Sequence, residues 1–148
     1  MSRTFTPGHK IKAAWHSISR MYNSYTNEVG LTVPAAYVLL LLSAKKGTLS
    51  TQIAPLLGME AGSITRLLKS MEEQGFIARK SDQEDKRQVS VYLTQEGMKK
   101  RFKAKKIVKF FNDKIDSNIS PDSLDNFLTV LDQIVGIAEQ NHFKEKSL

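Results

Sequence analysis

Gly62, Ser63, Thr65, Arg66 and Lys69 fall on one face of a helix predicted over about 61–74, with Glu73 beside them. Ile64, Leu67, Leu68 and Met71 fall on the opposite face. Such an outer face suits a polyanion whose grooves carry hydrogen-bonding edges. Gly62 and Ser63 are small enough to let a backbone come close, and Ser63 and Thr65 carry hydroxyls for phosphates or base edges. The planar fork of Arg66 matches the O6/N7 edge of guanine, whereas Lys69 is a point charge suited to a phosphate. A second group follows at Asp85, Lys86 and Arg87, at the tip of the polar segment 80–88. An arginine held at a hairpin tip enters a minor groove, and Asp85 would orient Arg87 through an ion pair. A solvated helix face and a solvated turn fit the same residue types.

Other chemistry lacks its residues. There is no cysteine, so disulfides, thiolate metal sites and cysteine nucleophiles are excluded. His9, His16 and His142 lie far apart, and none has a carboxylate partner at ligand spacing, so no metal site is expected. No glycine-rich phosphate loop or nucleophile motif is present. The expectation is a protein that is not an enzyme and needs no cofactor.

Several elements must position these residues. Ile11, Trp15, Ile18, Tyr22, Tyr25 and Val29 mark one face of a first helix that begins near Pro7 and ends at Gly30. Thr32 caps a second helix, apolar nearly all round and therefore buried, closed by Lys45-Lys46-Gly47. Ser50 caps a short third helix ending at Gly58, where Pro55 predicts a late start or a kink. Gly75 stands just past the end of the fourth helix. The period then shortens. Phe76–Arg79 and Val89–Leu93 read as two strands around the polar loop. Thr94 caps a fifth helix running to about Ser117, and Ser120-Pro121 opens a sixth. The sixth carries the stripe Leu124, Phe127, Leu128, Leu131, Ile134, Val135 and Ala138.

The third and fourth helices have helix-turn-helix spacing. With Ser50 as the first position, small Ala54 falls at the fifth, where the helices pass closely. Gly58 falls at the ninth, where the turn needs positive φ. A hairpin directly after such a pair is a wing. The charge agrees: the 148 residues carry a net +7, with a pI near 9.6. Residues 61–114 hold 14 basic and 7 acidic side chains, whereas 115–148 hold 2 and 6. The densest run is Lys99, Lys100, Arg101, Lys103, Lys105, Lys106 and Lys109. The longest apolar run, Val38–Leu42, is too short to span a bilayer, and Met1-Ser2-Arg3-Thr4-Phe5 is not a signal-peptide core. A soluble, cytoplasmic protein with no membrane partner is expected.

Residues 58–77, the Asp82–Arg87 segment, Leu93-Thr94-Gln95-Glu96-Gly97 and Leu31-Thr32 together resemble the MarR (multiple-antibiotic-resistance regulator) family of bacterial winged-helix repressors. The resemblance covers about Lys10 to Gln140. It departs at Lys86, where the family more often has arginine, at Pro55, and in lacking glutamine early in the second helix. It implies a mainly α fold with a small two-stranded β-wing, in one domain over 1–148. The winged helix-turn-helix would occupy about 32–94, and dimerisation helices about 8–29 and 95–141. It further implies a homodimer on a near-palindromic double-stranded DNA operator, acting as a sequence-specific regulator and most readily as a repressor. Gly62, Ser63, Thr65, Arg66, Lys69, Lys86 and Arg87 would meet DNA, with Asp85 supporting the wing. Many members respond to small aromatic or lipophilic effectors bound between the dimer helices and the winged domain, which here points to His16, Arg20 and Tyr37. The apolar faces of the first, fifth and sixth helices independently exceed what one small domain buries, which also points to a dimer. The alternative is an architectural protein that coats DNA with little sequence preference through its lysine run.

Overall fold

The computed structural model describes residues 5–81 and 87–140. They form α1 (Pro7–Glu28), α2 (Val33–Leu41), β1 (Thr48–Leu49), α3 (Ser50–Leu57), α4 (Ala61–Glu73), β2 (Ile77–Ser81), β3 (Val89–Leu93), α5 (Gln95–Asn118) and α6 (Pro121–Gln140). The chain divides into two compact units, Met1–Val108 and Lys109–Leu148, with the division inside α5.

In the first unit, local chemistry sets the element ends. The Thr6 hydroxyl accepts from the His9 amide at the start of α1, and that of Thr32 accepts from the Ala35 amide at the start of α2. The helices α1 and α3 are followed by left-handed glycines, Gly30 (φ 67°) and Gly58 (φ 59°). Two expectations need correction. First, α2 stops at Leu41 rather than at Lys45–Gly47. Leu42 is extended, and the Ser43 hydroxyl accepts from the amides of Lys45 and Lys46, giving the backbone a turn in place of another helical turn. Second, α3 begins at Ser50 itself, capped by Leu49 with no side-chain bond, so Ser50 is not the cap and Pro55 does not delay the start. Pro55 falls in the last turn of an eight-residue helix, where its missing N–H removes only one bond.

The sheet is three-stranded and antiparallel, in the order β1-β3-β2, where a two-stranded wing was expected. Thr48 pairs with Val91 and Leu49 with Ser90 on one side of β3; Ile77 pairs with Leu93 and Arg79 with Val91 on the other. The added strand has two residues and therefore no readable alternation. The core gathers around apolar α2: Val38, Leu39, Leu42, Ile53, Met71, Ile77 and Val91 are fully buried. Each large apolar side chain contributes roughly 1.5–3 kcal/mol of burial there. This core holds the inner face of α4, Ile64, Leu68 and Met71, so the helix's other face is left outward.

In the second unit, Ser120 opens α6 by accepting from the Ser123 amide, and Lys109 pairs with Asp113 at 2.7 Å one turn along α5. No residue of α6 is buried within the chain. Phe127 is 56% and Leu128 48% exposed, so α6 presents apolar side chains at its surface.

Candidate nucleic-acid interface

The turn between α3 and α4 is closed by two backbone bonds, from Gly58 N to Pro55 O (3.2 Å) and from Met59 N to Ala54 O (3.1 Å). Ala54 is buried at the helix crossing. These contacts set α4 across α3 with its outer face free. Glu60 caps α4 through its backbone only, and no acidic side chain stands in the first turn. Among the described residues, the amides of Ala61 and Gly62 therefore have no partner, which leaves the positive end of the helix available to an anion.

Gly62, Thr65, Arg66 and Lys69 are exposed and Ser63 is half-buried. A side chain added at Gly62 would meet nothing within 4 Å. Among the described residues Arg66 makes no hydrogen bond or ion pair. Lys69 reaches Glu73 only at 4.0 Å, with both side chains about two-thirds exposed, so the pair is weak and easily surrendered. Thr65 is committed differently from expectation. Its hydroxyl donates to the Ala61 carbonyl at 3.0 Å, leaving it an acceptor until that bond breaks.

Arg87 is exposed in the turn that leads into β3. Asp85 and Lys86 lie outside the described residues, and with them the expected Asp85–Arg87 pair. The wing's base shows instead a contact the sequence did not disclose. Glu72, in the last turn of α4, accepts from Arg79 of β2 three times: from its backbone amide (3.0 Å), from Nε (2.8 Å) and from Nη2 (2.6 Å). These bonds hold the Glu72 carboxyl below the usual glutamate range, the side-chain bonds most, then the backbone bond, with desolvation opposing them and the Arg79 charge adding to them. The only trace in the sequence is an opposite-charge pair seven residues apart across a helix end.

The lysine run resolves into individual roles. Lys100 donates to the Val29 carbonyl at the end of α1 and lies over the Phe76 ring. Arg101 donates to the Leu40 carbonyl of α2 at 3.3 Å. Lys99 pairs with Glu96, and Lys106 lies over Phe102. Two of its cations are thus structural, and the run is not one continuous free face.

Of the three residues expected near an effector, only Tyr37 lines the apolar recess between α1, α2 and the first half of α5. Tyr22, Leu40 and Ala104 line it too. His16 and Arg20 are exposed on α1 and do not line it; His16 belongs to an open surface hollow with His9 and Trp15. Tyr22 and Tyr37 meet edge to face at 6.3 Å, and burial raises the pKa of both phenols, with mutual repulsion adding to Tyr22. The recess holds only about 10 Å³ of free volume, roughly one water molecule.

A MarR-family model matches residues 29–88, the stretch from the end of α1 through the wing. The HTH-type transcriptional regulator TtmR of Methylorubrum extorquens is 38% identical over 87 residues, 59% of this chain and 45% of that protein. The organic hydroperoxide resistance transcriptional regulator of Bacillus subtilis is 32% identical over 85 residues, 57% of this chain and 58% of its own. The matches thus span about half of each relative. Among solved structures, the transcriptional repressor CouR bound to a 23-mer DNA duplex superposes with a TM-score of 0.77 at 28% identity, covering 88% of this chain and 92% of that one.

Proposed function

We propose that this chain is a MarR-family DNA-binding transcriptional regulator that reads a near-palindromic operator as a homodimer, a reading supported by the family match over residues 29–88 and by the likeness to a DNA-bound repressor. One observation carries the reading. The outward face of α4 presents an unpaired guanidinium, Arg66, beside small Gly62 and half-buried Ser63, at an uncapped helix start, with the exposed Arg87 of the wing to follow. Arg66 reads a base edge in the major groove, and Lys69 and the α4 amides hold phosphates. Arg87 enters the neighbouring minor groove.

Homodimerisation is supported by the exposed apolar side chains of α6, Phe127 and Leu128 among them. Sequence-specific reading is favoured over architectural coating because Lys100 and Arg101 are spent on backbone carbonyls of the chain's own helices. Repression follows from operator occupancy. Release by an effector would use the recess beside Tyr37. Its walls are apolar and its phenols neutral, but an aromatic ligand must first part the Tyr22–Tyr37 contact to gain space.

Salt-titrated fluorescence anisotropy tests the reading, comparing duplex from upstream of the chain's own coding region with a scrambled duplex. A preference by orders of magnitude at one dimer per site is the expected result. Equal and steeply salt-dependent binding to both duplexes would favour the architectural alternative. Absence of binding at low salt would overturn both.

A further inference from the structure

We infer that Glu72 is a positioning residue for DNA binding: it fastens the wing's base to α4, so that Arg66 and Arg87 engage their grooves together. The inference rests on the DNA-binding reading above. Glu72 lies six residues beyond Arg66 on the same helix, α4, and Arg79 lies in the middle of β2. With the sheet order β1-β3-β2, β2 has, among the described residues, a neighbouring strand on one side only. The Arg79 amide, bonded to Glu72, faces the open edge, which the carboxylate covers. One carboxylate thus holds the strand's backbone through Oε1 and the guanidinium through Oε2. Attachment at both backbone and side chain limits sliding and rotation of the strand against the helix, and the fork makes the contact directional in a way lysine cannot match.

The pair's place at the rim separates positioning from folding. The side chains of Glu72 and Arg79 are 37% and 31% exposed, whereas Phe76 and Ile77, between them in the sequence, are buried in the core. The apolar pair anchors the strand's start, and the ion pair sets its direction. From Arg79 the hairpin continues at roughly 3.3 Å per residue, so angular slack at the base grows along the strand toward the tip.

The test is a double-mutant cycle on the full chain, read by anisotropy with the same upstream and scrambled duplexes and by thermal unfolding. Glu72→Gln keeps an acceptor and removes the charge; Arg79→Lys keeps the charge and removes the fork. Each should weaken binding to the upstream duplex about tenfold, a shift of about 1.4 kcal/mol, while unfolding remains cooperative. In an Arg87→Ala background, Glu72→Gln should add no further loss, because the misplaced group is already gone. Wild-type affinity in Glu72→Gln, or the same fold-loss with and without Arg87, would overturn the inference. If wild type shows no preference for the upstream duplex, the DNA reading fails separately. Amide exchange then decides on the clamp: faster exchange at Arg79 in Glu72→Gln, with Val38 and Leu39 still protected, supports it, and unchanged exchange at Arg79 refutes it.

Discussion

Arg66 and Lys69 stand one turn apart on the outer face of α4, and their chemistry predicts two different phenotypes. Arg66→Ala should cost about 1–3 kcal/mol of discrimination between operator and random duplex, because the proposed forked base contact is lost. Lys69→Ala should weaken both duplexes about equally and flatten the salt dependence, because a phosphate contact carries no sequence information. Anisotropy against both duplexes at several salt concentrations separates the two outcomes. Glu72 predicts a pH effect. Its folded-state pKa is lowered, so the ionised pair adds stability above the ordinary glutamate value of about 4.3 and loses it as pH falls through the lowered value. The stability gap between wild type and Glu72→Gln in urea should therefore be full at neutral pH and close in strong acid. At this scale the sequence was legible where residue type and local position decide, as with the outward placement of Arg66, the cap at Thr32 and the turn at Gly58. It was silent where a partner is chosen by the fold. Thr65 spending its proton on Ala61, Lys100 reaching Val29 and Glu72 holding Arg79 all depend on which elements meet.

Two glycines show how elements constrain the same substitution in opposite directions. The start of α5 lies against the turn after α4: the Thr94 hydroxyl donates to the Gly75 carbonyl at 2.6 Å and accepts from the Gly97 amide at 3.0 Å. A Cβ on Gly97 would stand 1.9 Å from the Phe76 carbonyl oxygen, which is backbone and cannot swing aside. Gly97→Ala should therefore destabilise by at least about 1–3 kcal/mol, the scale of overpacking, seen as a lower denaturation midpoint. Gly62 sits in the first turn of α4 with open space around it. Gly62→Ala should stabilise by up to about 0.5–1 kcal/mol through helix propensity, while weakening DNA binding by crowding the approach. Most element types and many boundaries were readable from caps and periods: Thr94, Gly75 and the Val89–Leu93 alternation each mark one. The misses have local causes. Strand β1 is two residues long and defined by its pairing with β3, and α2 ends early because Ser43 offers its hydroxyl to two amides.

At the scale of the whole chain, the exposed apolar residues of α6 are what the proposed homodimer accounts for. Phe127, Leu128, Val130 and Val135 are exposed on α6, and among the described residues none of that helix is buried. Such a surface costs free energy in water unless a second copy covers it, and symmetric pairing of like faces is the commonest solution. A charge placed there would be desolvated in the dimer but solvated in the free chain, so Phe127→Glu should oppose association without touching the core around α2. If the chain pairs as proposed, the expected result is a monomer by sedimentation at concentrations where wild type is dimeric, with helical circular dichroism kept. DNA binding should fall further than any single base contact explains. Two half-sites read by one linked dimer gain from effective concentration, and a monomer forfeits that gain by roughly 10²–10⁴-fold. An unchanged dimer in Phe127→Glu would place the interface elsewhere. A clean monomer that still bound the full operator at wild-type affinity would remove the two-fold operator from the reading, leaving Arg66 and Arg87 to act on one half-site alone.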